Sequence, residues 1–182
     1  MSRIAIPTRD EASSASESML DAFYKQLGFT PNLFSIMSLS PSTFIGWVGL
    51  HGALAKTFDA KTRDGVALTV SQANSSHYCL SAHTFSASNV SELSPEEIFL
   101  NRHGISSDSK KNAALTFAKK VIETRGHVTE ADLIEVRHAG FSDDNIVDII
   151  ALSTQSLLTN FINNVFDTPI DFPVVSLEPT TT

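Results

Sequence analysis

At 182 residues, 42% hydrophobic and 18% charged, the sequence has the composition of one globular domain with a substantial core and surface to spare for a partner subunit. Its formal charge of −7, pI near 5.2 and 13 scattered Lys and Arg exclude nucleic acid as the main partner, because phosphate binding needs clustered cations. No apolar stretch suits a signal peptide or a membrane span, and a single cysteine allows no internal disulfide, so a reducing, cytoplasmic location is expected.

Apolar residues recur at helical spacing along the chain and strand-like alternation is nearly absent, which makes the fold class all-α. After an N-terminal arm over 1–13, a first helix is predicted over 14–27, ending at Gly28, with Thr30, Pro31 and Asn32 as a connector. A second starts at Ser40 with Pro41 in its first position and carries Phe44, Trp47, Val48, Leu54 and Ala55 as a broad apolar face. A third runs from about Thr62 to the polar cluster Ser71, Gln72, Asn74, Ser75 and Ser76, which reads as a helix break. There Asn74 to Ser76 would cap a new helix holding Tyr78, Cys79, Ala82, His83 and Phe85; one unbroken helix is the alternative.

Ser94, Pro95 and Glu97 form a capping-box pattern for a short helix that ends near Gly104. A longer helix is predicted over 107–125, closed by Gly126, then a short one capped by Thr129 and running to Gly140. The last, over 143–166 behind Ser142, leaves little purely polar face and is expected to be central or at a subunit interface. The tail over 168–182 should be an extended arm lying on the domain or on a neighbour, with Thr180 to Thr182 mobile.

The segment from Asp64 through SQANSSHYCLSAH resembles the redox motif of alkylhydroperoxidase-D-like proteins, in which a carboxylate precedes Cys-x-x-Cys-x-x-x-His. LGFTPNLF with SPSTF, VTEADLIEVRHAGFSDDNIVDII and the ending NNVFDTPIDFP extend the resemblance to the carboxymuconolactone decarboxylase family, in its peroxidase-related branch. It implies a helical bundle in a single domain and a homotrimer, a hexamer of trimers or a dimer. Cys79 matches the second, attacking cysteine and His83 the histidine that follows. Ser76 stands where the first cysteine would be, Asp64 where the relay glutamate would be, and Tyr78 where some members carry a histidine.

Physically, a cysteine in the first turn of a helix gains thiolate character. His83, four residues on, shares its face and could take the thiol proton, with Asp64 orienting the imidazole directly or through water. Ser76 lies on that face too, but its hydroxyl cannot close a disulfide, so a sulfenic acid at Cys79 would need an external thiol. The bland alternatives are an inert buried cysteine, a structural His83, an Asp64 that serves the first turn of its helix, and a Tyr78 in the core or an interface.

The remaining histidines, at 51, 77, 103, 127 and 138, show no metal-ligand spacing, and no phosphate loop or esterase elbow is present, so neither metal nor cofactor is expected. His77 should face solvent, and His51 is a candidate for lining the same pocket. The leading expectation is a thiol-dependent peroxidase reducing a small hydroperoxide through Cys79, His83 and Asp64. A lyase using His83 and a carboxylate on a small organic acid, and a catalytically silent helical assembly protein, are the alternatives.

Overall fold

The computed structural model describes residues 2–177, so the expected mobility of Thr180 to Thr182 lies outside the described residues. Those residues form nine α-helices and no strand: α1 (Ser14–Leu27), α2 (Asn32–Met37), α3 (Pro41–Leu54), α4 (Ala60–Ala73), α5 (His77–Asn89), α6 (Pro95–Arg102), α7 (Ser109–Glu123), α8 (Glu130–His138) and α9 (Asp143–Phe166). The predicted punctuation accounts for most of the boundaries. Gly28, Gly104, Gly126 and Gly140 all adopt positive φ where helices end. Side chains of Ser40, Asp59, Ser94, Asp108 and Thr129 each accept from a free amide at the start of a helix.

Several boundaries move. The connector after Gly28 is shorter than expected, because the Pro31 carbonyl accepts from the Phe34 and Ser35 amides and starts a short α2 that buries Leu33, Ile36 and Met37. Asp59, not the region of Thr62, starts α4, and Asp108 starts α7. Ala55 lies past the end of α3 and is exposed, so it leaves that helix's apolar face. Ser94 caps α6 as expected, but Glu97 does not complete a capping box. Its buried carboxylate turns instead to the Ser106 hydroxyl, to the Ser107 amide at 3.1 Å and hydroxyl at 2.7 Å, and to Lys111 at 3.6 Å.

The core falls into three apolar groups. One packs α4 and α7 with α8 and α9 around Val66, Val70, Leu115 and Ile149; a second joins α1, α2 and α3 to Tyr78 and Cys79 of α5; a third lies beneath α6 around Leu68 and Leu80. Gly65 lets α4 approach α7 closely, since a β-carbon there would stand 3.0 Å from Leu115 and 3.2 Å from Asn101.

Helix α9 buries a row of polar side chains and exposes a row of apolar ones. Its inner face buries Ser153, Gln155, Ser156, Thr159, Asn160 and Asn163 beside Ile149 and Leu152, while Val147, Ile150, Leu158, Phe161 and Val165 are exposed. The N-terminal arm lies at the end of this helix, where the Arg3 amide donates to the Phe166 carbonyl at 2.8 Å. The tail beyond it is extended and folds back on its own chain: the Val175 amide donates to Ser81 Oγ at 3.1 Å and Arg102 to the Ser176 carbonyl at 2.8 Å.

Candidate functional site

The break between α4 and α5 is a closed turn. Ser76 N–H donates to the Ser71 carbonyl and Ser75 N–H to that of Gln72, with Ser75 between them at φ 50°. This pairing usually ends on glycine, and a serine there bears the steric cost of the left-handed region, about 1–2 kcal/mol. The turn lets α5 start at His77 and sets Cys79 in its first turn. The expected side-chain cap does not form. Asn74 Nδ2 donates to the Val70 carbonyl and to Asn160, while Ser76 Oγ is buried without a hydrogen-bond partner among the described residues.

Cys79 is only 2% exposed, and its sulfur meets the inner face of α9. Asn163 Nδ2 donates to Sγ at 3.1 Å, and Thr159 Oγ1 lies 3.9 Å away as an acceptor for the thiol. Further along the same face, Asn160 donates to Ser71 Oγ at 3.3 Å and accepts from Asn74 Nδ2 at 3.1 Å, so α9 meets the end of α4 through polar side chains.

Asp64 and His83 face each other across α4 and α5, with His83 Nδ1 3.7 Å from Asp64 Oδ1. That separation suits a charge pair or a bridging water better than a direct hydrogen bond. The second oxygen, Asp64 Oδ2, accepts from Ser86 Oγ at 3.1 Å and Ser91 Oγ at 2.5 Å, which fixes the carboxylate. His51, from α3, stacks on Trp47 with ring centroids 4.9 Å apart and planes 11° from parallel. Loss of hydration in this setting, with help from the nearby charges of His83 and Arg63, holds the His51 imidazole below the usual histidine range.

The tail completes the site. Tyr78, buried, donates its hydroxyl to Asp171 Oδ1 at 2.8 Å and accepts from the Leu33 amide at 3.2 Å, while Asp171 Oδ2 also accepts from the Asn32 amide at 2.6 Å. Burial, followed by the Asp171 charge, pushes the Tyr78 phenol far above its ordinary range, so it remains protonated. Phe172 then packs edge-on to Tyr78 and against Phe85. Beneath it lies a cavity of about 310 Å³ whose walls include Cys79, Asp64, His83, His51 and Trp47.

Three of the four predicted site residues, Cys79, His83 and Asp64, therefore share one cavity. Ser76 is fully buried and is not among its walls. His51 lines the cavity, His77 is exposed and Tyr78 is a core residue, each as its sequence position suggested. Asn163 and Thr159, the sulfur's hydrogen-bond partners, were missed; polar residues repeating every four positions in an apolar helix were the available signal. Among the described residues, no three His, Cys, Asp or Glu side chains converge in a metal-binding group, and no helix is long and apolar enough to cross a membrane.

This architecture, with a cysteine and histidine on one helix and a carboxylate on the helix before it, has the fold of solved alkylhydroperoxidase-D-like structures. Residues 41–124 match the model of the Carboxymuconolactone decarboxylase family, as the resemblance implied. Solved structures share the fold over nearly the whole chain. The alkylhydroperoxidase AhpD core of an uncharacterized peroxidase-related protein from Ralstonia eutropha JMP134 aligns with a TM-score of 0.82 at 24% identity, covering 93% of this chain and 92% of that one. A peroxidase-related protein from Silicibacter sp. TM1040 aligns at 0.79 and 21%, covering 92% and 91%. The debrominase Bmp8, in complex with 2,3,4-tribromopyrrole, aligns at 0.78 and 20%, covering 94% of each chain. Comparison with curated proteins finds no match.

Proposed function

We propose that the protein is a thiol-dependent, peroxidase-like oxidoreductase with Cys79 as its single redox centre. The observation that carries this reading is the placement of a buried sulfur, supplied with an amide donor, on the wall of a cavity that also holds the Asp64–His83 pair. In the first step the Cys79 thiolate attacks the terminal oxygen of a hydroperoxide. The O–O bond breaks, sulfur is oxidised to the sulfenic acid, and the departing alkoxide takes a proton supplied through His83, which Asp64 holds in place. One external thiol then displaces water to form a mixed disulfide, and a second releases reduced Cys79 and a disulfide product. Ser76 cannot supply the resolving sulfur, so the reductant must come from outside the chain, as a reducing cytoplasm would allow.

The test is hydroperoxide consumption with dithiothreitol, together with the pH dependence of Cys79 alkylation. Wild type should turn over, and iodoacetamide should alkylate Cys79 in the folded protein. Cys79→Ser should abolish turnover, and His83→Ala or Asp64→Asn should lower it. A thiol that reacts only on unfolding would sink the proposal.

A second reading, reductive dehalogenation of a small aromatic ring by the same cysteine, is favoured by the aromatic walls contributed by Trp47, Phe34, Phe85 and Phe172 and by the debrominase neighbour. Bromide release from a bromopyrrole with two equivalents of thiol tests it. The lyase alternative would rely on Arg63, the one Lys or Arg on the cavity wall among the described residues, whose Nη1 donates to the Ala55 and Phe58 carbonyls. We also propose a homo-oligomer joined through the exposed apolar stripe of α9, a surface that a second copy would remove from water.

A further inference from the structure

The Asp64 carboxylate belongs to α4, yet the side chains that meet it, His83, Ser86 and Ser91, come from α5 and the turn that ends it. Both hydroxyls converge on one oxygen. Ser86 Oγ donates to Oδ2 at 3.1 Å and Ser91 Oγ at 2.5 Å, while Oδ1 faces His83 Nδ1 at 3.7 Å. The turn is built to present Ser91. Its amide and that of Val90 both donate to the Ser86 carbonyl, Glu92 takes φ 51°, and the Leu93 amide closes on the Ala87 carbonyl at 2.8 Å, with the Leu93 side chain buried in the group that holds Leu68 and Leu80. Ser91 is therefore buried and placed by backbone bonds that do not involve Asp64.

A carboxylate free to turn about its last side-chain bond offers either oxygen to a neighbour, because that torsion is soft and two-fold. Two hydroxyl donors on Oδ2 remove this freedom and keep Oδ1 on the imidazole. An anionic oxygen at Nδ1, reached directly or through water, favours a proton on that nitrogen, whereas an unconstrained neutral histidine in water prefers its proton on Nε2. We propose that Ser86 and Ser91 are positioning residues that act through Asp64 to set His83 in its Nδ1–H form, leaving the Nε2 lone pair as the proton acceptor of the site. In the proposed peroxidase reaction, on which only this use of the ring rests, Nε2 takes one proton from the Cys79 thiol and returns it to the alkoxide released when the O–O bond breaks, while Nδ1 keeps its own. The tautomer itself needs no turnover.

The experiment reads the ring directly, by long-range ¹H–¹⁵N correlation spectra of the labelled protein at a pH where the imidazole is neutral, with His83 assigned by its loss in His83→Gln. Wild type should show the Nδ1–H pattern, and Asp64→Ala should reverse it to the Nε2–H pattern of a free side chain. Ser86→Ala and Ser91→Ala should each move the ring part of the way, and the double variant most of it. In the double variant kcat for hydroperoxide reduction should fall roughly tenfold with KM unchanged, the scale of one hydrogen bond to a charged group. Ser86 is only partly buried, so Ser86→Ala loads the fold least and its spectrum decides the matter should the double variant not fold. A wild-type ring in the Nε2–H form, or a wild-type pattern that persists in the serine variants, would overturn the assignment. A protein that shows the expected tautomers yet consumes no hydroperoxide would retain the positioning role and lose the peroxidase reading; turnover with an Nε2–H ring would do the opposite.

Discussion

The sulfur of Cys79 shows how much one partner can decide. Its amide donor, Asn163, is buried, and the donor's own Oδ1 has no partner among the described residues, so the side chain is committed to sulfur at some cost. Asn163→Ala should therefore slow alkylation of Cys79 at pH 7 by roughly tenfold, the scale of one charge-assisted hydrogen bond. Iodoacetamide kinetics on the folded variant check this, and an unchanged rate would reduce Asn163 to packing. Tyr78 is the contrasting case. Its hydroxyl joins the Leu33 amide to Asp171, and Tyr78→Phe should lower stability by about 1–3 kcal/mol by stranding both, as urea unfolding would show, with the thiol's pH profile unchanged.

At the scale of helices, α4 is the element whose surroundings tolerate least. Gly65→Ala should destabilise the protein by about 1–3 kcal/mol, because Leu115 and the Asn101 amide would have to retreat; a rise in thermal midpoint would contradict that packing. Glu97 ties α6 to the start of α7. Burial pushes its carboxyl up, but hydrogen bonds from Ser106 and Ser107 and the Lys111 charge outweigh this and hold it below its ordinary range. Its contribution is therefore complete above the unfolded value near 4.5 and is lost as pH falls through the lower folded value. The stability gap between wild type and Glu97→Gln should be largest near neutrality and should shrink in acid, which denaturant titrations at pH 7 and pH 3.5 would measure. Elements of this kind were legible in the sequence wherever local chemistry sets them: Ser14–Leu27 with Gly28, and Asp143–Phe166 behind Ser142, coincide with their predicted bounds. The motif likewise brought Cys79, His83 and Asp64 together. What could not be read was long-range, since Asn163 reaches a sulfur 84 residues away and Asp171 a phenol 93 residues away, and no spacing rule couples those positions.

Over the whole molecule, α9 joins site and surface, with its polar row on the thiol and its apolar row facing outward. If the proposed oligomer joins through α9, Phe161→Glu should shift the protein to a smaller species in analytical ultracentrifugation while leaving Cys79 alkylation unchanged; a monomeric wild type or an unaltered mass would overturn it. The tail carries a different consequence. Phe172 follows every other residue of the cavity wall in the chain, and its neighbour Asp171 is the acceptor that Tyr78 and Asn32 share. The cavity wall beside Phe85 thus closes only when the segment after α9 docks on α2 and α5. Asp171→Ala, by loosening that segment, should therefore widen the approach to Cys79, and faster alkylation of the folded variant would show it.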